Sequence, residues 1–125
     1  MNKKYLVLND VEAYKLAFKL SNEVWEVVIR WDHFAKDTIG KQLVRAIDSI
    51  SANIAEGFGR YYKKDKIKFY RYSRGSTYEC LDWCEKAKIR SLLNQDQYEL
   101  IHLQLKELPK LLNALIKYTN DKLEI

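Results

Sequence analysis

The chain has 125 residues and a formal net charge of +5, the size of one ordinary domain rather than of a two-domain enzyme. Apolar residues make up 47% and charged residues 31%, which excludes a disordered tail. Four glycines and one proline supply too few turns for a many-stranded sandwich or barrel, so a few long helices are expected.

The apolar period places the first helix at about residues 10–31, capped by Asn9 or Asp10. Tyr14, Ala17, Ser21, Val24, Val28 and Trp31 form one seam, and Phe18, Trp25 and Ile29 form a second apolar row beside it. Asp32 to Asp37 reads as a loop, after which Thr38 caps a second helix over about 38–58. Its inward row is Ile39, Leu43, Ala46, Ile47, Ile50 and Ile54, and the expected stop at Gly57 or Gly59 uses the left-handed conformation open to glycine.

A third helix, capped by Asp65, is expected over about 65–93, with inward rows through Ile67, Tyr70, Thr77, Leu81, Cys84 and through Phe69, Ser73, Ser76, Cys80, Trp83, Ala87. Gly75 interrupts it at a cost of roughly 1 kcal/mol relative to alanine, which a close helix crossing would offset. Asp96 caps the fourth helix, about 96–119, in which Tyr98, Ile101, Leu105, Leu108, Leu112, Leu115 and Thr119 keep a three-four alternation. Leu100, Leu103, Leu111 and Tyr118 add a second row, Pro109 is expected to kink the helix, and Asp121 to Ile125 to fray. Short connections between four such helices predict an all-α, up-and-down antiparallel four-helix bundle.

Extra apolar rows need a covering surface, which points to self-association, although broad stripes filling a single core are the alternative. Cys80 and Cys84 share one helical face, where a disulfide would strain the helix. With His33 and His102 in unrelated segments, neither a metal site nor a cofactor is expected. The first eight residues hold only a Tyr-Leu-Val-Leu apolar run, too short for a signal peptide or a membrane span. A cytoplasmic protein follows, with Tyr5 to Leu8 read as an extended arm packed on the domain or a neighbour.

The basicity is concentrated. Arg60, Lys63, Lys64, Lys66, Lys68, Arg71 and Arg74 stand against one acid, Asp65, so residues 60–74 carry +6 and the rest of the chain −1. Tyr61, Tyr62, Phe69, Tyr70 and Tyr72 interleave with them. At 100° per residue Lys64, Lys68 and Arg71 share one stripe, which Arg60 and Lys63 extend into the preceding loop. Such a stripe can neutralise phosphates while Tyr61 and Tyr62 stack on unpaired bases; a solvated helix face with inward tyrosines is the other reading. No Ser-His-Asp set, phosphate loop, dinucleotide fingerprint or metal cluster is present, and the chain is read as non-enzymatic. Glu56 with Arg45, Arg60 or Glu79 is better explained by a salt bridge near the end of the second helix than by catalysis.

The stretch Ser49-Ile50-Ser51-Ala52-Asn53-Ile54-Ala55-Glu56-Gly57-Phe58-Gly59-Arg60 resembles the signature of the bacterial four-helix-bundle family encoded in intervening sequences of 23S rRNA genes. Asn53 to Gly57 match it residue for residue, while Ser51 replaces the usual proline. Arg74-Gly75-Ser76 followed by Glu79, and Leu8-Asn9-Asp10-Val11 leading to Tyr14, agree as well. The resemblance implies a homopentameric ring of up-and-down bundles. It also implies a relationship to accessory proteins of diversity-generating retroelements, which bind nucleic acid and partner a reverse transcriptase. The resulting expectation is an oligomeric nucleic-acid-binding bundle, with RNA the preferred ligand. An adaptor docking a protein or ribonucleoprotein partner through the same basic segment is the alternative.

Overall fold

A computed structural model describes residues 7–124. Four long helices, α1 (Glu12–Val28), α2 (Lys41–Gly59), α3 (Lys63–Ile89) and α4 (Gln95–Lys122), account for most of these residues, and none of them lies in a strand. Each helix packs on its neighbours in sequence, and α1 also packs on α4 to close the cycle. The pairing runs in opposite chain senses. Arg45 meets Glu79 and Ser49 meets Ser76 between α2 and α3, while Tyr98 meets Glu85 and Asn113 meets Arg74 between α4 and α3. Trp25 and Val28 share a hollow with Val44 and Gly40 between α1 and α2. These registers give the expected antiparallel bundle.

The inward row expected for α2 is buried throughout, and so are Ile101, Leu105, Leu108, Leu112 and Leu115 of α4. In α1 the buried face is Ala13, Ala17, Leu20, Ser21, Val24 and Val28. The second apolar row of this helix is left uncovered: Phe18, Trp25 and Ile29 are 53%, 51% and 42% exposed. On α3, Ser73 and Thr77 lie in the core, where their hydroxyls donate to the carbonyls of Ile50 (2.7 Å) and Ser73 (2.9 Å). Cys80 and Cys84 are free and buried, and burial pushes the Cys84 thiol up to about 11, so it stays protonated.

Several helix ends differ from expectation, each for a local reason. Asp10 does not cap α1. Leu8–Asp10 form a separate 3-10 turn in which the Asp10 carboxylate accepts from Val7 N–H (3.2 Å), and the buried Val11 precedes Glu12. The last turn of α1 tightens, with Trp31 N–H reaching the Val28 carbonyl at 3.0 Å. The supposed loop before α2 is helical from His33, because Asp32 accepts from Ala35 N–H (3.0 Å) and acts as the cap. Thr38 is therefore inside the helix, bonded back to the Phe34 carbonyl at 2.7 Å, and Lys36–Gly40 form a π-helical turn before α2.

α3 begins at Lys63, so Asp65 lies in its first turn instead of capping it. It ends at Ile89 rather than near 93. Ser91 takes φ 61°, and the bonds Leu92 N–H to Ala87 O (2.8 Å) and Ser91 N–H to Lys88 O (3.1 Å) close a left-handed terminal motif. Asn94, not Asp96, caps α4, in a reciprocal box with Gln97 at 2.8 and 3.0 Å. α4 continues through Pro109 and holds Asp121 and Lys122 in helix. Of the expected arm, Tyr5 and Leu6 lie outside the described residues.

Two glycines reverse their expected roles. No glycine has positive φ, so Gly57 does not end α2 by a left-handed turn. It is buried at the α2–α3 crossing, where a Cβ would stand 2.8 Å from Tyr70 Cε1 and 2.9 Å from the Lys66 carbonyl. Gly75 has open space around its Cβ position, so no helix of this chain crosses there.

Candidate nucleic-acid interface

The basic segment spans the α2–α3 turn and the first three turns of α3, and the structure divides its seven cations into two groups. Lys63 turns inward: its ammonium donates to the carbonyls of Asn120 (3.1 Å) and Leu123 (3.0 Å) at the C-terminus of α4. Lys66 donates to the Phe58 carbonyl at 2.7 Å near the end of α2, and burial lowers its pKa. These two lysines neutralise the negative ends of neighbouring helices. Arg60 folds back on Glu56, at 2.9 Å from Nε and 2.7 Å from the second nitrogen, with its guanidinium 4.7 Å from the Phe69 ring centroid. Arg74 donates to Asn113 Oδ1 at 2.6 Å and ties α3 to α4.

Lys64, Lys68 and Arg71 remain. All three are exposed, and none has an ion-pair partner among the described residues. They line one shallow hollow of about 340 Å³ together with Asp65 and Tyr72. Tyr72 stands edge-on to Phe69 (centroids 5.4 Å, planes 88° apart) and stays half-exposed. Tyr61 and Tyr62, edge-on to each other at 5.0 Å, are 69% and 55% exposed just before the helix. Three cations free of ion pairs, of which Lys68 has its ammonium 5.6 Å from the Phe69 ring centroid, stand beside three accessible aromatic rings and can contact phosphates and stack bases.

Of the residues expected at the interface, Lys64, Lys68, Arg71, Tyr61 and Tyr62 are accessible, and Lys63, Lys66, Arg60 and Arg74 are engaged in contacts within the bundle. The period carried the signal for this division. Lys63 and Lys66 precede the buried Ile67 and Tyr70 by four residues, which puts them on the inward side. Tyr72, absent from the expected contact set, follows Lys68 by four and belongs to the outward stripe.

No group of three or more metal-ligating side chains occurs among the described residues, and no helix is long and apolar enough to cross a membrane. Among the acids of α3, Glu79 pairs with Arg45, Asp82 with Lys86, and Glu85 with Tyr98 and His102.

Residues 9–114 match the family described as 23S rRNA-intervening sequence protein. The chain belongs to this family. A solved structure of similar fold is a protein of unknown function from the S23 ribosomal protein family of Bacteroides thetaiotaomicron VPI-5482. It superimposes with a TM-score of 0.75 at 23% identity, covering 84% of this chain and 98% of that one. Comparison with curated proteins gives no significant match.

In this intervening-sequence protein the signature positions hold α2 against α3. Asn53 Nδ2 donates to the Ser49 carbonyl at 2.9 Å, and Ser49 Oγ meets Ser76 Oγ at 2.8 Å across the crossing. Gly57 admits Tyr70 beside it, and Glu56 pairs with Arg60 on the surface. Glu79 receives Arg45 and the Trp83 indole N–H (3.3 Å). Within the signature Ser49, Ser76 and Gly57 pack α2 on α3, while Glu56 and Gly75 face outward.

Proposed function

We propose that this intervening-sequence protein is a self-associating nucleic-acid-binding bundle that grips single-stranded RNA through Lys64, Lys68 and Arg71. The supporting observation is that these three cations share one hollow with Tyr72 and have no ion-pair partner, while the other four cations of the segment are engaged. An unpaired surface cation keeps its full charge for a phosphate, whereas one already bound to a carboxylate or a carbonyl must first give up that contact. Tyr61 and Tyr62 extend the contact to bases.

Assembly, as a homopentamer, belongs to the same proposal and is supported by the uncovered apolar rows of α1 and α4, the latter with Leu100 and Leu103 at 51% and 71% exposure. Five copies would set five modest patches along one polyanion, and their effective concentration multiplies affinity. Titration of a labelled single-stranded RNA with wild type and with the K64E/K68E/R71E variant tests the reading. The variant is expected to bind about tenfold or more weakly at moderate salt. Equal affinity contradicts the assignment. If RNA does not bind at all while a protein is retained on the same face after nuclease treatment, the adaptor reading replaces it.

A further inference from the structure

The assembly reading leaves open which surfaces meet. We infer that the contact is heterologous: the groove between α1 and α2 of one copy receives the outward ridge of α4 from the next.

The groove is mostly apolar. Trp25 and Val28 from α1, Ile29 just after it, Gly40 from the π-helical turn and Val44 from α2 line about 220 Å³, and Phe18 continues the row two turns earlier on α1. Trp25 and Ile29 line this hollow and remain about half-exposed. Lys36 and Lys41 stand at the rim. Lys41 has a loose contact with Asp37 at 3.5 Å, and Lys36 has no ion pair among the described residues.

The ridge carries the opposite charge. Leu100 and Leu103 project from the first half of α4, and Asp96, Glu99 and Glu107 surround them. Glu107 has only a 3.9 Å contact with Lys110, and Glu99 accepts from Gln95 at 2.7 Å, so neither carboxylate is neutralised by a close cation. Lys106, also exposed, follows Glu99 by seven residues and stands on the same side of this strip, so three acids face one lysine around the two leucines. Two leucines framed by acids complement an apolar groove framed by lysines.

The position of the two patches adds a second argument. The groove lies at the C-terminal end of α1 and the ridge at the N-terminal half of α4, so both occupy the same half of the bundle's length. Copies joined this way stand side by side at one height. A heterologous contact of that kind closes into a ring when the rotation permits. The same contact leaves the N-terminal end of α3 free, and every copy points its Lys64, Lys68 and Arg71 hollow toward the same end of the ring.

This inference rests on the assembly reading, and a complementation experiment separates the two. W25E spoils the groove and keeps the ridge; L103E spoils the ridge and keeps the groove. By light scattering, each variant alone is expected to show the mass of a single chain, and an equimolar mixture to form a 1:1 dimer joined through its one intact pair of surfaces. Circular dichroism confirms folding of each. The exposed pair K36E/K41E, expected to dissociate and to be restored by E99K/E107K on the other chain, covers the case in which W25E unfolds. A wild-type monomer at micromolar concentration overturns the assembly reading itself. A wild-type oligomer whose variants stay assembled, or whose mixture stays monomeric, overturns the groove-and-ridge contact alone.

Discussion

Gly57 and Gly75 sit in helices eighteen residues apart in sequence and call for opposite responses to the same substitution. At Gly57 the added methyl would collide with a ring carbon and with the backbone of Lys66, neither of which can yield without shifting α3. Overpacking of this kind costs about 1 to 3 kcal/mol, more than the helix propensity gained. Gly57→Ala is expected to lower the denaturation midpoint. At Gly75 the methyl meets nothing, so Gly75→Ala is expected to stabilise the isolated chain by about 1 kcal/mol, measured in the same urea titration. Neither response is legible in the sequence, which shows two glycines in helical context. Only the packing distinguishes a glycine that admits Tyr70 from one that leaves a smooth spot on an outer face. The same limit applies to Lys63 and Lys66. Their positions four residues before buried side chains place them inward, but the carbonyls they reach belong to other helices and no local pattern encodes them.

Between α1 and α4 the seam closes on a small polar network. Lys19 Nζ lies 2.8 Å from Glu23 and 3.2 Å from Gln104 Oε1, and Gln104 Nε2 donates to Glu23 at 2.8 Å. Partial burial pushes the Glu23 pKa up, but the hydrogen bonds from Lys19 and Gln104 and the nearby ammonium outweigh it, so the net shift is downward. A carboxyl with a lowered folded pKa adds stability above its unfolded pKa and loses it as pH falls through the folded value. Wild type is therefore expected to lose stability on acidification through the carboxylate range more steeply than Glu23→Gln, which is less stable at neutral pH; denaturant midpoints at several pH values check this. Periodicity located the helices well because each inward row is long and regular, as in Ile39 to Ile54 of α2. Helix ends were less legible, since Asp10, Thr38, Asp65 and Asp96 all have capping chemistry. The side chains that do cap, Asp32 and Asn94, are equally ordinary residues whose backbone happens to be extended there.

Across the whole molecule, the +5 net charge resolves into structural and free cations. Lys63 and Arg74 tie α3 to α4, Lys66 ties α3 to the end of α2 and Arg60 folds back on Glu56, while Lys64, Lys68 and Arg71 face outward with Tyr72. The apolar rows that the four-helix core leaves uncovered lie toward the opposite end, so assembly and polyanion binding need not compete for one surface. The division of the cations is the central claim, and the salt dependence of RNA binding tests it most directly. Each phosphate contact on a single strand contributes about 0.7 to the slope of log affinity against log salt. K64Q/K68Q/R71Q is therefore predicted to lower that slope by about 2 per bound chain, because three contacts are lost. K63Q/K66Q is predicted to lower thermal stability while leaving the slope unchanged at a temperature where it remains folded. An unchanged slope in the triple variant, or an equal fall in the double variant, would contradict the account.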